Sequence, residues 1–92
     1  MGRILRAIAD PTRRRILRLL KEKGSHAAGG SKGMCAGDIV SRVKLSQSTV
    51  SHHLGVLSKA GLVNVRKTEQ WRWYRRNPGV LKAAVETLRK QL

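Results

Sequence analysis

The chain is poor in acid. Five Asp and Glu stand against twenty Lys and Arg in 92 residues, a formal net charge of +15. The five carboxylates, Asp10, Glu22, Asp38, Glu69 and Glu86, are scattered, so no paired acid and base can be drawn from sequence neighbours. One cysteine, Cys35, excludes an intramolecular disulfide and any multi-cysteine metal site within one chain. It has no histidine or asparagine beside it in a nucleophile arrangement. Aromatics are few, with two Trp, one Tyr and no Phe, which leaves the core to aliphatic side chains. No apolar run approaches the roughly 18 residues of a membrane-spanning helix. Nor does an apolar segment follow Arg3 and Arg6 as in a secretory leader. The glycine-rich 29–33 ends Ser31-Lys32-Gly33, the wrong order for a phosphate loop. An enzyme, a cofactor and a metal are therefore not expected, and the single cysteine fits a reducing cytoplasm.

What is present is positive charge. A charge of +15 strongly attracts a polyanion. Nucleic acid is the usual one, and an anionic membrane surface is its competitor. Here the basic residues run through the whole chain instead of along one amphipathic face, which disfavours the membrane. The length fits a single domain over 1–92, small enough to gain from sharing a core with a second copy.

Punctuation residues divide the chain. Ile4, Leu5 and Ile8 recur at helical spacing over 2–9. Asp10-Pro11 then breaks that helix and opens another over about 11–22, since Asp caps well and proline suits the first position. That helix is expected to bury Ile16, Leu19 and Leu20, with Leu17 at the margin. Its arginines, Arg13, Arg14, Arg15 and Arg18, read equally as a solvated face or as a binding face. Residues 23–33 hold glycine and serine in a density that indicates a flexible loop. His26 within it reads as solvent-exposed and inert. A short helix is expected over about 36–42, with Ile39, Val40 and Val43 inward. Cys35 occupies the capping position before it, where serine or threonine is usual.

The stretch 45–61 carries the clearest pattern. Ser46 is an N-cap and Gly61 a helix stop. Val50, Leu54 and Leu57 form one apolar stripe. Opposite lie Ser48, Ser51, His52, Gly55 and Lys59, with Gln47 on the flank, a face of small or flat hydrogen-bonding groups suited to the major groove of DNA. An amphipathic surface helix would show the same stripe. With the short helix before it, this stretch makes a helix-turn-helix. Runs 62–66 and 71–75 are β-prone and are separated by Lys67-Thr68-Glu69-Gln70, which reads as a hairpin. Asn77-Pro78 opens a last helix to about 91, with Leu81, Ala84, Val85 and Leu88 on one face. The fold class is mostly α with a small β-hairpin (α+β), five helices and a two-stranded wing. Ile4, Leu5, Ile8, Leu81, Ala84, Val85 and Leu88 are the candidate dimer surface.

These residues carry a likeness. ADPTRRRIL (9–17), LSQSTVSHHL (45–54), GLV (61–63) and a WYRRN hairpin end resemble the ArsR/SmtB-type winged-helix repressors of prokaryotes. The resemblance covers nearly the whole chain. It implies a homodimer built from the first and last helices, double-stranded DNA with an inverted-repeat operator as partner, and transcriptional repression. Carried over by position, Gln47, Ser48, Thr49, Ser51 and His52 become candidate DNA contacts, while His53, nearer the apolar stripe, reads as half-buried and structural. Arg66, Lys67, Gln70 and Arg72 are candidates in the wing, where a solvated charged hairpin would look the same.

Departures from the family are equally informative. The paired thiols of its arsenic and cadmium sensors are reduced here to Cys35-Ala36-Gly37-Asp38, and no histidine follows His53 for a zinc site on the last helix. A single soft ligand is a poor transition-metal site. MCAGDI resembles the metal-independent autorepressor subgroup. Cys35 is then either a substitute cap or a thiol sensor favoured by a helix N-terminus and a basic field. Glu69 stands where a glycine usually makes the wing turn. The resemblance thus points to a sequence-specific DNA-binding repressor; a sequence-blind nucleic-acid binder, architectural or RNA-binding, is the alternative that charge alone would allow.

Overall fold

Asp10 sets the first corner. It ends α1 (Gly2–Ala9) in an extended conformation and caps α2 (Pro11–Glu22). Its Oδ1 accepts from the amides of Thr12 at 2.7 Å and Arg13 at 3.1 Å, satisfying two first-turn donors that have no intrahelical partner. The computed structural model describes residues 1–22 and 33–92. The second segment runs β1 (Met34–Cys35), α3 (Ala36–Val43), α4 (Gln47–Lys59), β2 (Val63–Thr68), β3 (Trp71–Arg76) and α5 (Pro78–Gln91). The five helices fall where the sequence pattern puts them. The expected flexible loop, His26 included, lies outside the described residues except for Gly33. Gly33 is not loop-like: it is buried at φ +83, and a Cβ there would collide with the Tyr74 carbonyl.

The wing is longer and broader than expected. Lys67 and Thr68 belong to β2, paired from Val63↔Arg76 to Thr68↔Trp71, so that only Glu69 and Gln70 turn the chain. Glu69 takes φ +53 there, the conformation for which glycine is usual at the first position of a two-residue hairpin loop. The second difference is a third strand. β1 pairs antiparallel with the other edge of β3 (Met34↔Tyr74, Cys35↔Trp73), giving a sheet of order β1-β3-β2. A two-residue strand is too short to show alternation in sequence, so β1 was not expected beside the two-stranded wing, which β2 and β3 form as read.

Ile16, Ile39, Val50, Leu54, Leu57, Leu62 and Val63 are fully buried, each worth about 1.5–3 kcal/mol of transfer free energy. They come from α2, α3, α4, the α4–β2 connection (Leu62) and β2, with Met34 and Tyr74 closing the core from the sheet. Along α2 the order differs from expectation: Leu17 is buried and Leu19 only half-buried. That helix packs against α1, α3, α4 and β3, so its apolar arc is wider than one stripe. Ala7 of α1 is also fully buried.

Candidate nucleic-acid interface

The helix-turn-helix is built by two local devices. α3 stops at Lys44, which is left-handed at φ +59 and returns its amide to the Val40 carbonyl at 3.0 Å. Ser46 then starts α4 by accepting the Thr49 amide at 3.2 Å. The same hydroxyl donates to Thr49 Oγ1 at 2.8 Å and lies 3.2 Å from Ser48 Oγ. Since Thr49 Oγ1 only accepts in this contact, its own proton remains available to donate. The helix ends as read: Gly61 takes φ +78 and Leu62 returns its amide to the Leu57 carbonyl at 3.0 Å, the longer bond of a Schellman closure.

Between these ends α4 has two faces. Val50, Leu54 and Leu57 are in the core, whereas Gln47, Ser48, Thr49, Ser51 and His52 are all exposed together with Lys59. α4 contains no Asp or Glu. The exposed face can thus approach a phosphate-rich groove without like-charge repulsion, offering an amide, hydroxyls and an imidazole to base edges.

His53 belongs to the interior side. It is half-buried, and its Nδ1 lies 3.2 Å from Nη1 of Arg13. A guanidinium has no acceptor, so in this contact Nδ1 accepts. Arg13 also donates from Nε to the Ala7 carbonyl at 2.8 Å and from Nη2 to the Arg6 carbonyl at 2.9 Å. Arg14 Nη1 donates to the carbonyls of Ile8 and Ala9 at 2.8 and 2.9 Å. These two arginines satisfy the open carbonyls at the end of α1, and Arg13 extends the tie to α4. The basic run of α2 therefore divides: Arg13 and the exposed Arg14 are tied to α1 carbonyls, while Arg15 and Arg18 are exposed on the same helix.

The wing register sorts its candidates. Directly paired residues share a face, so Arg66 stands with Thr68, Trp71, Trp73 and Arg75, while Lys67 and Arg72 stand on the other face with Tyr74. Gln70 lies in the turn. The wing candidates therefore do not form one cluster. Trp71 is 50% exposed and its ring centroid lies 6.5 Å from that of Trp73. Trp73 Nε1 donates to Thr68 Oγ1 at 2.9 Å. Trp71, Trp73 and Arg75 escaped the sequence reading, although strand alternation through Trp71-Arg72-Trp73-Tyr74-Arg75 carries the signal.

Cys35 is half-buried opposite Trp73 and precedes α3 without a side-chain capping hydrogen bond. The substitute-cap reading is therefore corrected: the thiol does not reach the amides it would have to satisfy. Asn77 likewise precedes α5 without a side-chain cap. On the dimer surface, Leu5 and Val85 are exposed and Leu88 is half-buried. Ile4, Ile8 and Leu81 pack partly against the chain's own core. Ala84 is already buried within the protomer, so little of its methyl is left for a partner. No described helix is long and apolar enough to cross a membrane.

A β-hairpin wing, with a third short strand at its edge, beside a capped, carboxylate-free helix of this exposure defines the winged helix-turn-helix class of DNA-binding regulators. Comparison with known proteins makes the class specific. Residues 10–65 match the family model for bacterial regulatory proteins of the arsR family. A stretch of 71 residues, 77% of the chain, is 45% identical to an HTH-type transcriptional regulator, MJ1325, of Methanocaldococcus jannaschii and covers 71% of it. The transcriptional repressor SdpR of Bacillus subtilis is 38% identical over 92% of the chain and 84% of its own length. The solution structure of the homodimeric winged helix-turn-helix DNA-binding domain Mb0332 of Mycobacterium bovis superposes with a TM-score of 0.72. That likeness covers 98% of this chain and 78% of that one, at 24% identity. The chain belongs to the arsR family, whose members are transcriptional regulators and not enzymes.

Proposed function

We propose that the chain is a homodimeric repressor that acts by occupying an inverted-repeat operator. The observation that carries this reading is the α4 face, where Gln47, Ser48, Thr49, Ser51 and His52 stand exposed behind a fully buried Val50-Leu54-Leu57 stripe. Gln47, near the helix N-terminus, has the amide geometry for adenine, and the hydroxyls can reach base edges or phosphates. Arg66, Lys67, Gln70 and Arg72 supply phosphate or minor-groove contacts that set affinity more than sequence preference. Dimerisation through α1 and α5 is supported by exposed Leu5 and Val85 and by the homodimeric state of the Mycobacterium bovis domain. Two copies would place their recognition helices about 34 Å apart, one turn of duplex. MCAGDI supports a metal-independent member. Cys35 is the residue through which a thiol-directed signal would act, and operator affinity before and after alkylation tests that role.

The test is selection of a binding duplex from a randomised pool, followed by fluorescence anisotropy against a scrambled duplex and a structured RNA. A palindromic consensus is expected, bound far more tightly than either competitor, with a log–log salt slope of about −6 or steeper. Equal affinity for all three ligands would replace the repressor by a sequence-blind binder.

A further inference from the structure

The outer face of the sheet carries a pattern that folding does not require. The core lies under the other face, where Val63 and Tyr74 are buried. Pairing and alternation put Arg66, Thr68, Trp71, Trp73 and Arg75 on the outer face, and Cys35 of β1 extends it beyond Trp73. Trp71 is 50% exposed, Trp73 is half-buried, and Arg66 and Arg75 are exposed. A single exposed ring is ordinary. Here two rings lie 6.5 Å apart, one step along β3, beside two guanidiniums. Among the described residues no carboxylate shares the face. Trp73 Nε1 donates to Thr68 Oγ1 at 2.9 Å, which ties that indole to β2.

We propose that this face is a binding platform for single-stranded DNA. The two rings offer successive unpaired bases a stacking surface each, while Arg66 and Arg75 meet the phosphates beside them. In a duplex the bases are stacked on one another and closed to such rings, so a paired partner leaves the face of Trp71 unused. Two grounds select DNA over RNA. α4 brings the wing beside DNA, so the strand within reach is one of the duplex's own when it opens. The face is also poor in acceptors for a ribose hydroxyl. Thr68 Oγ1 is engaged by Trp73, which leaves the Asn64 amide as the remaining side-chain oxygen there. The choice of DNA rests on the function proposed above; the site for unpaired bases does not.

Anisotropy of the full chain with labelled oligothymidylate, against an abasic strand of equal length, separates stacking from charge. Oligothymidylate is expected to bind more tightly by about tenfold or more. It should also quench the tryptophan fluorescence, since both tryptophans lie on this face. Trp71→Ala should lower its affinity to that of the abasic strand, and Trp71→Phe should keep most of the difference. The quenching needs no variant and keeps the test decisive should Trp71→Ala fail to fold. Equal affinity for the two strands, absence of quenching, or an undiminished difference in Trp71→Ala would overturn the site. Equal quenching by a duplex of the same length would overturn it too, because the rings would then belong to the duplex contact. Oligouridylate bound as tightly as oligothymidylate would overturn the choice of DNA. A chain that prefers oligothymidylate through Trp71 yet does not discriminate between duplexes would uphold the site for unpaired bases and count against the repressor reading alone.

Discussion

At the residue scale, Ser46 does two things with one oxygen: it accepts the Thr49 amide and donates to the Thr49 hydroxyl. Ser46→Ala removes both. It is expected to lower stability by about 1 kcal/mol, read as a shift in urea midpoint at unchanged slope. An unchanged midpoint would mean that the cap is not formed in solution. Asp10 has the same office at α2, with a pH signature. The Arg13 amide holds its carboxyl below the usual carboxylate range, partial burial opposes this, and the Thr12 amide and Arg13 charge add to the lowering. The folded pKa thus lies below the unfolded one. The stabilisation is complete above the ordinary carboxylate range, near pH 4 and higher, and is lost as pH falls through the folded value. The acid limb of a stability–pH profile should therefore be shallower in Asp10→Ala than in the parent; identical limbs would contradict the assignment. His53 shows why neighbours in one motif need different readings. His52 points out from α4, and His53, one residue on, anchors that helix to Arg13.

At the element scale, the hairpin turn stores strain that sequence alone flagged but could not resolve. Glu69 at φ +53 carries a Cβ in a conformation that costs most L-residues roughly 1–2 kcal/mol. Glu69→Gly should raise stability by about 1 kcal/mol in thermal or urea unfolding; a loss would show that the Glu69 side chain makes a contact outweighing its backbone. Gly33→Ala should do the opposite and cost more than about 1 kcal/mol, because a Cβ there meets the Tyr74 carbonyl. α1, α2, α4 and α5 were legible because punctuation marks their ends: Asp10-Pro11, Ser46, Gly61 and Asn77-Pro78. The α4 face was legible because helical spacing separates stripe from surface without knowledge of any neighbour. β1 was not, since its existence depends on β3 lying alongside. The burial of Leu17 was hidden for a related reason, as α2 is packed on several sides. The roles of Arg13 and Arg14 are long-range too, being set by where the last carbonyls of α1 end up.

At the scale of the whole molecule, function depends on how a charge of +15 is distributed. Charge brings the chain to any polyanion, but only the hydrogen-bonding, carboxylate-free face of α4 can choose among duplexes. Affinity and discrimination are therefore separable, and so are discrimination and stability. Leu54→Ala, in the buried stripe, should cost about 2–5 kcal/mol of stability. Gln47→Ala, on the exposed face, should cost less than about 0.5 kcal/mol. The most direct test of the central claim is anisotropy of Gln47→Ala on the selected duplex and on its scrambled counterpart at one salt concentration. Affinity for the selected duplex should fall by about tenfold, corresponding to roughly 1–3 kcal/mol of lost base discrimination, while affinity for the scrambled duplex and the melting temperature stay as in the parent. An equal fall on both duplexes, or no fall on either, would contradict the assignment of α4 as the element that reads sequence.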